Sequence, residues 1–404
     1  MLIASTSVAG TPIGREAQAG DTTAQVAVPD PSPLALRYYR SGNVLWAVGL
    51  GVSILIPALL LFTGVSARLR SAAFQLGRRW LPSLALYAVF ITLVMQLLEL
   101  PLAYYAGFVR QHAYGLSVES LEKWVSDWLK GVALAALGLA LVLWIPYLLL
   151  RRSPKWWWLY TGLATAPLAA FVLLVTPLWI DPLFNRFGPM KDAALEQRIL
   201  GLARRAGIPD SRVFEVNKSV ETRTVNAYVT GLGSTKRIVL WDTIIAKLTP
   251  EQLEFVMGHE MGHFVLHHVL SFIVIATLLA MLSLYVIHRL AGGLIARYSL
   301  RFGFDRLSDP ASLPLLLLLG TLVSLLVTPL ILAYSRHQEH EADRFGLELT
   351  RNNYAAATAF VRLQEENLAV PRPGLLYRLW RGSHPSLGDR VDFANRFRPW
   401  ESGR

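Results

Sequence analysis

Two histidines four residues apart, with a glutamate directly after the first, form the segment of this sequence best suited to chemistry. The segment is His259-Glu260-Met261-Gly262-His263. On an α-helix, residues four apart lie nearly above one another, so His259 and His263 can present both imidazoles to one metal ion. Glu260 points about 100° away and can act as a base toward water. The spacing therefore predicts one Zn²⁺ per chain, with the two histidines as ligands and Glu260 as the catalytic base.

A catalytic zinc site of this kind needs a third protein ligand. The candidates lie in the segment Ser335–Asp343, directly after the last long apolar stretch. Helical spacing places Glu339 and Asp343 on one face, so Glu339 could bind the ion while Asp343 orients a ligand imidazole. Glu341 and His340 also have suitable side chains, and periodicity leaves both as alternatives.

The composition indicates that these residues belong to a membrane protein. Of the 404 residues, 53% are hydrophobic and 17% are charged, and the mean hydropathy is +0.39. These values are too apolar for an average soluble protein. Cysteine is absent, so a metal must be held by imidazole and carboxylate. The net charge of +11 is scattered between apolar runs, which favours the lipid bilayer as a partner and argues against nucleic acid.

Six apolar stretches are each long enough to cross about 30 Å of hydrocarbon as a helix. They lie at about 43–63, 81–104, 132–150, 156–180, 269–287 and 313–334. Aromatic and basic residues at their ends favour membrane spans over buried core helices. Lysine is rare among the 39 basic residues, which suggests a bacterial source. We therefore expect an integral, multi-pass protein of a bacterial inner membrane.

The spans divide the chain into five predicted regions. Residues 1–42 are rich in small and polar residues and are predicted to form a disordered tail. Residues 43–180 form a transmembrane domain of four helices, and residues 269–334 form a transmembrane helix pair. The zinc domain is predicted in two parts, 181–268 and 335–404. Since two spans separate His263 from Glu339, both parts emerge on the same side of the membrane.

The polar segment 181–268 has the pattern helix, strand, strand, strand, helix. The elements are predicted at Asp192–Ala206, Val213–Val216, Val225–Thr230 and Arg237–Trp241, and the last two flank a glycine-rich turn as a hairpin. Thr249 and Pro250, with Gln252 to complete a capping box, predict the start of the helix that carries His259. We expect that helix to run past His263 straight into the fifth span.

Several further segments, in the same order along the chain, carry a family resemblance. They are Pro182–Phe187, Asn226–Tyr228, Lys236–Leu240 with Asp242-Thr243, His259–His263, Ser335-Arg336-x-x-Glu339 with Ala342-Asp343, and Ser383–Pro385. In these segments the sequence resembles the integral-membrane zinc endopeptidases of the CAAX prenyl protease family, relatives of the bacterial heat-shock membrane metalloproteases. The likeness covers about residues 80–395. It implies an α-helical polytopic membrane protein with a small α/β zincin-like (gluzincin) metalloprotease domain.

The resemblance also implies roles for individual residues at the metal. It selects Glu339 over Glu341 as the third ligand and gives Asp343 the supporting role. It implies that His384 and Arg390 help to stabilise the tetrahedral intermediate of peptide hydrolysis.

For the substrate, the resemblance implies that Asn226 lines the binding groove. The strand around Asn226, Ala227 and Tyr228 offers an edge onto which an extended peptide can add. The expected partner is a peptide or protein substrate, possibly prenylated or membrane-embedded.

Two alternative functions compete with that of a prenyl protease. A general quality-control metalloprotease of membrane proteins would share the zinc site but lack any prenyl preference. A catalytically silent transporter or metal-binding scaffold would favour charged pairs within several spans, whereas the predicted spans are nearly uncharged.

The side of the membrane on which the zinc domain lies is left open by two opposing arguments. The arginine-rich loops 64–80, 151–155 and 288–312 would lie in the cytoplasm by the positive-inside rule, with the zinc domain opposite. The resemblance instead implies a site that faces the cytoplasm. The eukaryotic members of the family also have seven spans, one more than the six found here.

Overall fold

A computed structural model describes residues 24–209, 211–231 and 237–401. Within these ranges, six helical segments are long and apolar enough to cross a membrane. They are Pro33–Phe62, Trp80–Ala113, Leu121–Arg152, Trp157–Leu183, His268–Phe302 and Pro310–Thr350. Each overlaps one of the six predicted spans, so the prediction of a polytopic helical membrane protein is confirmed.

The N-terminal region has seven α-helices, and all of them except α2 belong to its four spans. These are α1 (Pro33–Phe62), α2 (Val65–Gly77), α3 (Trp80–Tyr104), α4 (Arg110–Ala113), α5 (Leu121–Val142), α6 (Trp144–Arg152) and α7 (Trp157–Val175). A π-helical turn at Tyr105–Val109 joins α3 to α4, and another follows α7. Many leucines on the outer faces of these helices are exposed, such as Leu97 and Leu141. Hydrocarbon is the solvent that makes such exposure favourable.

The first helix begins at Pro33, so the predicted boundary of the N-terminal tail at residue 42 is wrong. Ser32 caps the helix by accepting a hydrogen bond from the Ala35 amide, and Pro33 occupies the first turn, where its missing N–H costs nothing. Residues 24–32 are also held in place. The Asn395 side-chain amide exchanges two hydrogen bonds with the backbone of Val26, at 3.0 and 2.8 Å. The rest of the predicted tail, residues 1–23, lies outside the described residues.

A small sheet and three helices follow the fourth span. The elements are β1 (Phe187–Gly188), α8 (Ala193–Arg205), β2 (Arg212–Val216), β3 (Ala227–Thr230), β4 (Arg237–Trp241), α9 (Asp242–Lys247) and α10 (Pro250–Val265). The described strands have the order β1-β2-β4-β3, with β2 parallel to β4. The predicted hairpin of β3 and β4 is confirmed, with Tyr228 opposite Val239. Its predicted glycine-rich turn falls largely on residues 232–236, which lie outside the described residues.

The helix that carries His259 begins as predicted but ends early. Thr249 and Gln252 form the predicted capping box at the start of α10. The prediction that α10 continues straight into the fifth span is wrong, because α10 ends at Val265 and α11 begins at His268 (His268–Phe302). Between them His267 has a φ of +56°, a left-handed conformation that no α-helix can continue through.

The chain returns to the polar domain through one very long helix. The sixth span is the first half of α12 (Leu313–Thr350), which has 38 residues. At 1.5 Å per residue it is about 57 Å long, so its second half extends beyond a hydrocarbon core of about 30 Å. Three helices complete the domain, α13 (Asn353–Glu366), α14 (Leu375–Trp380) and α15 (Leu387–Arg396). Of these, α13 and α15 pack with α8, α10 and the sheet around one buried cluster that includes Ile199, Leu240 and Met257.

Candidate metal centre

Helices α10 and α12 approach each other closely because the residues at their contact are small. A Cβ atom added to Gly262 would lie 3.2 Å from the Cα of Ala342, and one added to Gly346 would lie 3.0 Å from the backbone nitrogen of His259. Larger side chains at these positions would force the two helices apart, since packed interiors have no spare volume. Glycine therefore allows the side chains of the two helices to meet.

His259, His263 and Glu339 come together at this contact as a group able to hold a metal ion. The Nε2 atoms of the two histidines are 3.3 Å apart. Glu339 Oε2 is 3.3 Å from His259 Nε2, and Glu339 Oε1 is 3.3 Å from His263 Nε2. The two spans between His263 and Glu339 bring both segments to the same end of the membrane helices, as the sequence predicts.

The spacing of these atoms fits a zinc ion. Ligand atoms 2.0–2.1 Å from a tetrahedral ion lie about 3.3 Å apart. Glu339 is 7% exposed, and its Oε2 atom is buried without a hydrogen-bond donor. Burying a carboxylate oxygen that accepts no hydrogen bond costs free energy, and a cation bound between this oxygen and the imidazole nitrogens would offset that cost. Two imidazoles and one carboxylate, with a cavity beside them, form the donor set of a catalytic zinc site that retains an open position.

Asp343 and Arg390 lie behind His259. Asp343 Oδ1 is 2.8 Å from His259 Nδ1, which leaves Nε2 of the same ring directed at the metal group. Arg390 donates from Nε to Asp343 Oδ2 at 2.8 Å and from Nη2 to Oδ1 at 2.6 Å. The bidentate pair is buried and fixes the carboxylate, and the carboxylate in turn fixes the imidazole.

The electrostatics of His259 also indicate a cation site. Burial favours the neutral ring, but the carboxylates of Asp343 and Glu339 outweigh it and raise the pKa of His259 to about 10. The surrounding carboxylates therefore favour a positive charge at this point. A divalent metal ion would compete with the proton for the His259 imidazole, because metals bind the neutral ring.

The alternative ligands Glu341 and His340 face away from the metal group. Glu341 Oε2 lies 3.4 Å from His268 Nε2 and 3.5 Å from His337 Nε2. The His340 ring packs against Phe393, with ring centroids 4.4 Å apart. On a helix, a residue one or two positions from Glu339 is rotated by about 100° or 200°, so only one of the three can face α10.

Glu260 and His384 line a cavity of about 610 Å³ that opens beside the metal group. Desolvation raises the pKa of Glu260 above its usual range. His384 Nε2 is 3.3 Å from Glu339 Oε1, and its Nδ1 is hydrogen-bonded to Ser383 Oγ at 2.8 Å. Desolvation lowers the pKa of His384, although its side chain is 55% exposed toward the cavity. Each residue is thus biased toward its uncharged form.

Arg390 binds Asp343 and packs on Phe360, and these two contacts leave its Nη1 without a partner among the described residues. Its Nε and Nη2 atoms bind Asp343, and its guanidinium carbon lies 4.2 Å from the centroid of the Phe360 ring. Nη1 makes no hydrogen bond within the described residues. Arg390 also lines the cavity, so this remaining N–H group is available to a ligand there.

The predicted substrate-binding residues lie at the start of β3, where Asn226 directly precedes the strand and Ala227 and Tyr228 are its first two residues. Asn226 and Ala227 line the cavity, whereas Tyr228 is not among its lining residues. Burial raises the pKa of the Tyr228 phenol to about 12. Since β3 is at one end of the described strand order, its outer edge is open for pairing.

His268 was missed from the sequence, and the break before α11 explains why. In an unbroken helix a residue five positions after His263 would point about 140° away. The left-handed His267 instead turns the chain so that His268 Nδ1 lies 2.9 Å from His263 Nδ1. His268 is 5% exposed, and its carbonyl accepts a hydrogen bond from Gln338 Nε2. A third histidine so close to the motif was the only sequence signal.

Two protein families match this chain. Peptidase family M48 matches residues 189–397. The family described as CAAX prenyl protease N-terminal, five membrane helices, matches residues 37–186. In that region the structure has four candidate spans and the shorter helix α2.

Relatives of the chain carry names consistent with those families. The uncharacterized metalloprotease YhfN of Bacillus subtilis is 37% identical over 369 residues, which cover 91% of this chain and 86% of the relative. CAAX prenyl protease 1 of Saccharomyces cerevisiae is 29% identical over 73% of this chain and 68% of its own length. The crystal structure of S. mikatae Ste24p has the same fold, with a TM-score of 0.73, 24% identity and coverage of 88% of this chain and 86% of that one.

Proposed function

The chain belongs to peptidase family M48 and to its CAAX prenyl protease branch, and from this premise we propose that it is a zinc-dependent endopeptidase that acts at the membrane surface. Family membership makes it an integral-membrane metalloendopeptidase. The single observation that carries the zinc proposal is the group of His259, His263 and Glu339, with its donor atoms 3.3 Å apart beside a cavity.

We assign the catalytic base to Glu260. Zinc held by His259, His263 and Glu339 would polarise a scissile carbonyl and lower the pKa of water bound beside it. Glu260 borders the same cavity, so it can accept the proton of the attacking water and then deliver it to the leaving amine. Its raised pKa suits both steps, because a more basic carboxylate accepts the proton of water more readily and holds it until the amine leaves.

His384 and the free Nη1 of Arg390 are proposed to stabilise the oxyanion of the tetrahedral intermediate. Both residues face the cavity, and preorganised donors aimed at a developing negative charge contribute strongly to catalysis. Asp343 holds His259 in the tautomer that leaves Nε2 for the metal.

The substrate is proposed to bind as an extended peptide along β3. Backbone pairing at the edge near Asn226 and Ala227 would hold the chain without selecting its side chains, while both residues border the cavity that contains Glu260. Such binding tolerates many sequences, which suits either a prenyl protease or a general protease of membrane proteins.

Whether the substrate is prenylated can be tested directly. Purified protein in detergent is offered peptides of one sequence with and without a farnesyl group, and kcat/KM is measured for each. As a CAAX prenyl protease-like enzyme, it should cleave the farnesylated peptide at least about tenfold better, because a buried isoprenoid contributes far more than the 1.4 kcal/mol that tenfold requires. Equal rates would favour the quality-control alternative.

His268 is proposed to position His263. Because His263 Nε2 faces the metal group, the proton of this ring must be on Nδ1, which then donates to Nδ1 of His268. We expect His268→Ala to weaken zinc affinity by about 10–100-fold, as for other partners behind a ligand imidazole. Competition with a chelator of known affinity measures this loss.

The matched control for that experiment is His337→Ala. His337 is also a histidine near Glu341, but its side chain is 66% exposed and it does not contact His263. A loss of affinity in both variants, or in neither, would show that His268 has no positioning role.

A further inference from the structure

Helix α14 separates polar from apolar side chains around its axis. Its four apolar residues other than tyrosine are Leu375, Leu376, Leu379 and Trp380. At 100° per residue they span an arc of about 140°. Tyr377 and Arg378 lie on the rest of the circumference and line the cavity of the metal group, whereas the four apolar residues are not among its lining residues. One side of α14 is therefore a wall of the cavity, and the apolar side faces away from it.

The described part of the chain leaves the apolar side of α14 largely open. Leu375 is 68% exposed and Leu376 is 74% exposed. Two adjacent leucines held in water would forgo the favourable free energy of burial. Their exposure resembles that of Leu330, which is 59% exposed on the sixth span. Hydrocarbon makes such exposure favourable for both sets of side chains.

Trp380 joins α14 to the sixth span at a point where that span lacks a backbone donor. In an α-helix the carbonyl of Leu325 would accept a hydrogen bond from the N–H four residues later, but that residue is Pro329, which has no N–H. Trp380 Nε1 donates to this carbonyl at 2.9 Å. Because no water is present in hydrocarbon to take over this role, the indole satisfies a group that would be costly to leave unpaired.

The contact between Trp380 and Leu325 lies in the apolar part of α12. Leu325 is nine residues before residue 334, where the apolar stretch ends, and nine residues correspond to about 14 Å along the helix axis. A hydrocarbon core is about 30 Å thick, so the Trp380 indole reaches the level of the lipid acyl chains. Leu376 is four residues before Trp380 and therefore lies on the same side of α14. The apolar side of α14 thus continues the lipid-facing surface of the spans.

Hydrogen bonds at both ends of α14 fix this orientation. The amide of Gly374, directly before the helix, donates to Tyr39 Oη at 3.1 Å. Arg336 Nη1 donates to the carbonyls of Arg378 and Gly382, at 2.7 and 2.8 Å. Tyr39 belongs to α1 and Arg336 to α12, so α14 is held between the first and sixth spans. It cannot turn its apolar side toward the protein without breaking these bonds.

We propose that α14 is inserted into the bilayer, where Leu375 and Leu376 contact lipid acyl chains while the opposite side of the helix forms part of the cavity wall. An amphipathic helix with leucine and tryptophan on one side suits this position. The partner is lipid and not a second protein, because the indole on the same side reaches the level of the acyl chains. This interaction goes beyond the proposed endopeptidase function, and its test does not use cleavage.

The experiment measures the surroundings of single side chains in the full-length protein. Because the sequence contains no cysteine, one introduced cysteine can carry a nitroxide spin label without background labelling. The labelled protein is placed in vesicles of phosphatidylethanolamine and phosphatidylglycerol. Power saturation then gives the collision rates of the label with oxygen, which concentrates in lipid, and with a nickel chelate, which stays in water. We expect Leu375→Cys and Leu376→Cys to have the same oxygen-to-nickel ratio as Leu330→Cys.

Arg378→Cys is the matched control on the same helix. Residue 378 is rotated by about 200° from Leu376, and Arg378 is exposed and lines the cavity. Its label should collide more with the nickel chelate than with oxygen. The substituted side chains are all exposed, so these variants should keep the fold of the wild type.

Three results would overturn the proposal. Preferential collision with nickel at Leu375→Cys and Leu376→Cys would place both side chains in water. Low collision rates with both reagents would place them against protein, such as a second copy of the chain. A preference for oxygen at Arg378→Cys as well would place both sides of α14 in lipid, so that the helix does not separate the bilayer from the cavity. None of these results bears on the proposed endopeptidase function.

Discussion

Glu260→Gln is expected to lower kcat for peptide cleavage by at least about 10²–10⁴-fold while zinc remains bound, because general acid–base catalysis contributes on that scale. Glutamine has nearly the same shape as glutamate but cannot accept a proton from water. Glu260 does not belong to the group of His259, His263 and Glu339, so the metal should stay. Initial rates on one peptide give the loss in kcat, and metal analysis of the same samples gives the zinc content per chain.

Glu251→Gln serves as the control for that comparison. Glu251 lies on the same helix, where its half-exposed side chain pairs with Arg198 at 2.9 Å. Exposed pairs of this kind contribute little to stability, so this variant should cleave at the wild-type rate. Full activity in Glu260→Gln would contradict the mechanism, and loss of zinc in that variant would show that Glu260 is a ligand and not a base.

Glu339→Gln should weaken zinc binding by more than the roughly 10–100-fold that the loss of a residue behind a ligand causes, because Glu339 is the proposed third ligand. Glu341→Gln, two positions away on the same helix, should leave zinc content unchanged, since Glu341 contacts His268 and His337 and not the metal group. Zinc per chain after dialysis against a weak chelator distinguishes the two. The reverse order of effects would overturn the choice of ligand.

The same substitution should also lower stability. Glutamine keeps the volume of Glu339 but removes a carboxylate whose pKa His259 and His263 hold well below its usual range, so the metal-free variant should have a lower Tm than the metal-free wild type. Zinc content is therefore compared on samples that circular dichroism shows to be folded.

The residues of the metal group could be predicted because their positions follow from local periodicity. His259 and His263 share one face of a helix, and an even number of spans requires Glu339 to emerge on the same side. The choice of Glu339 over Glu341 needed more than periodicity, since both lie on α12. The face of α12 that meets α10 is set by the close approach of the two helices at Gly262 and Gly346, which is a tertiary contact.

The break at His267 had no local signal. A histidine with a positive φ is uncommon, and neither glycine nor proline separates α10 from α11. The contact of His268 with His263 depends entirely on that break. The parallel pairing of β2 with β4 is likewise a long-range feature, because the strand between them in the chain is placed at the edge.

The most direct test of the account is zinc titration of the metal-free protein. Protein stripped by a strong chelator is supplied with increasing zinc, and cleavage of one peptide is measured at each step. The account predicts no cleavage without metal and full recovery at about one zinc per chain. Cleavage that persists in the stripped protein, or that does not return with zinc, would contradict it.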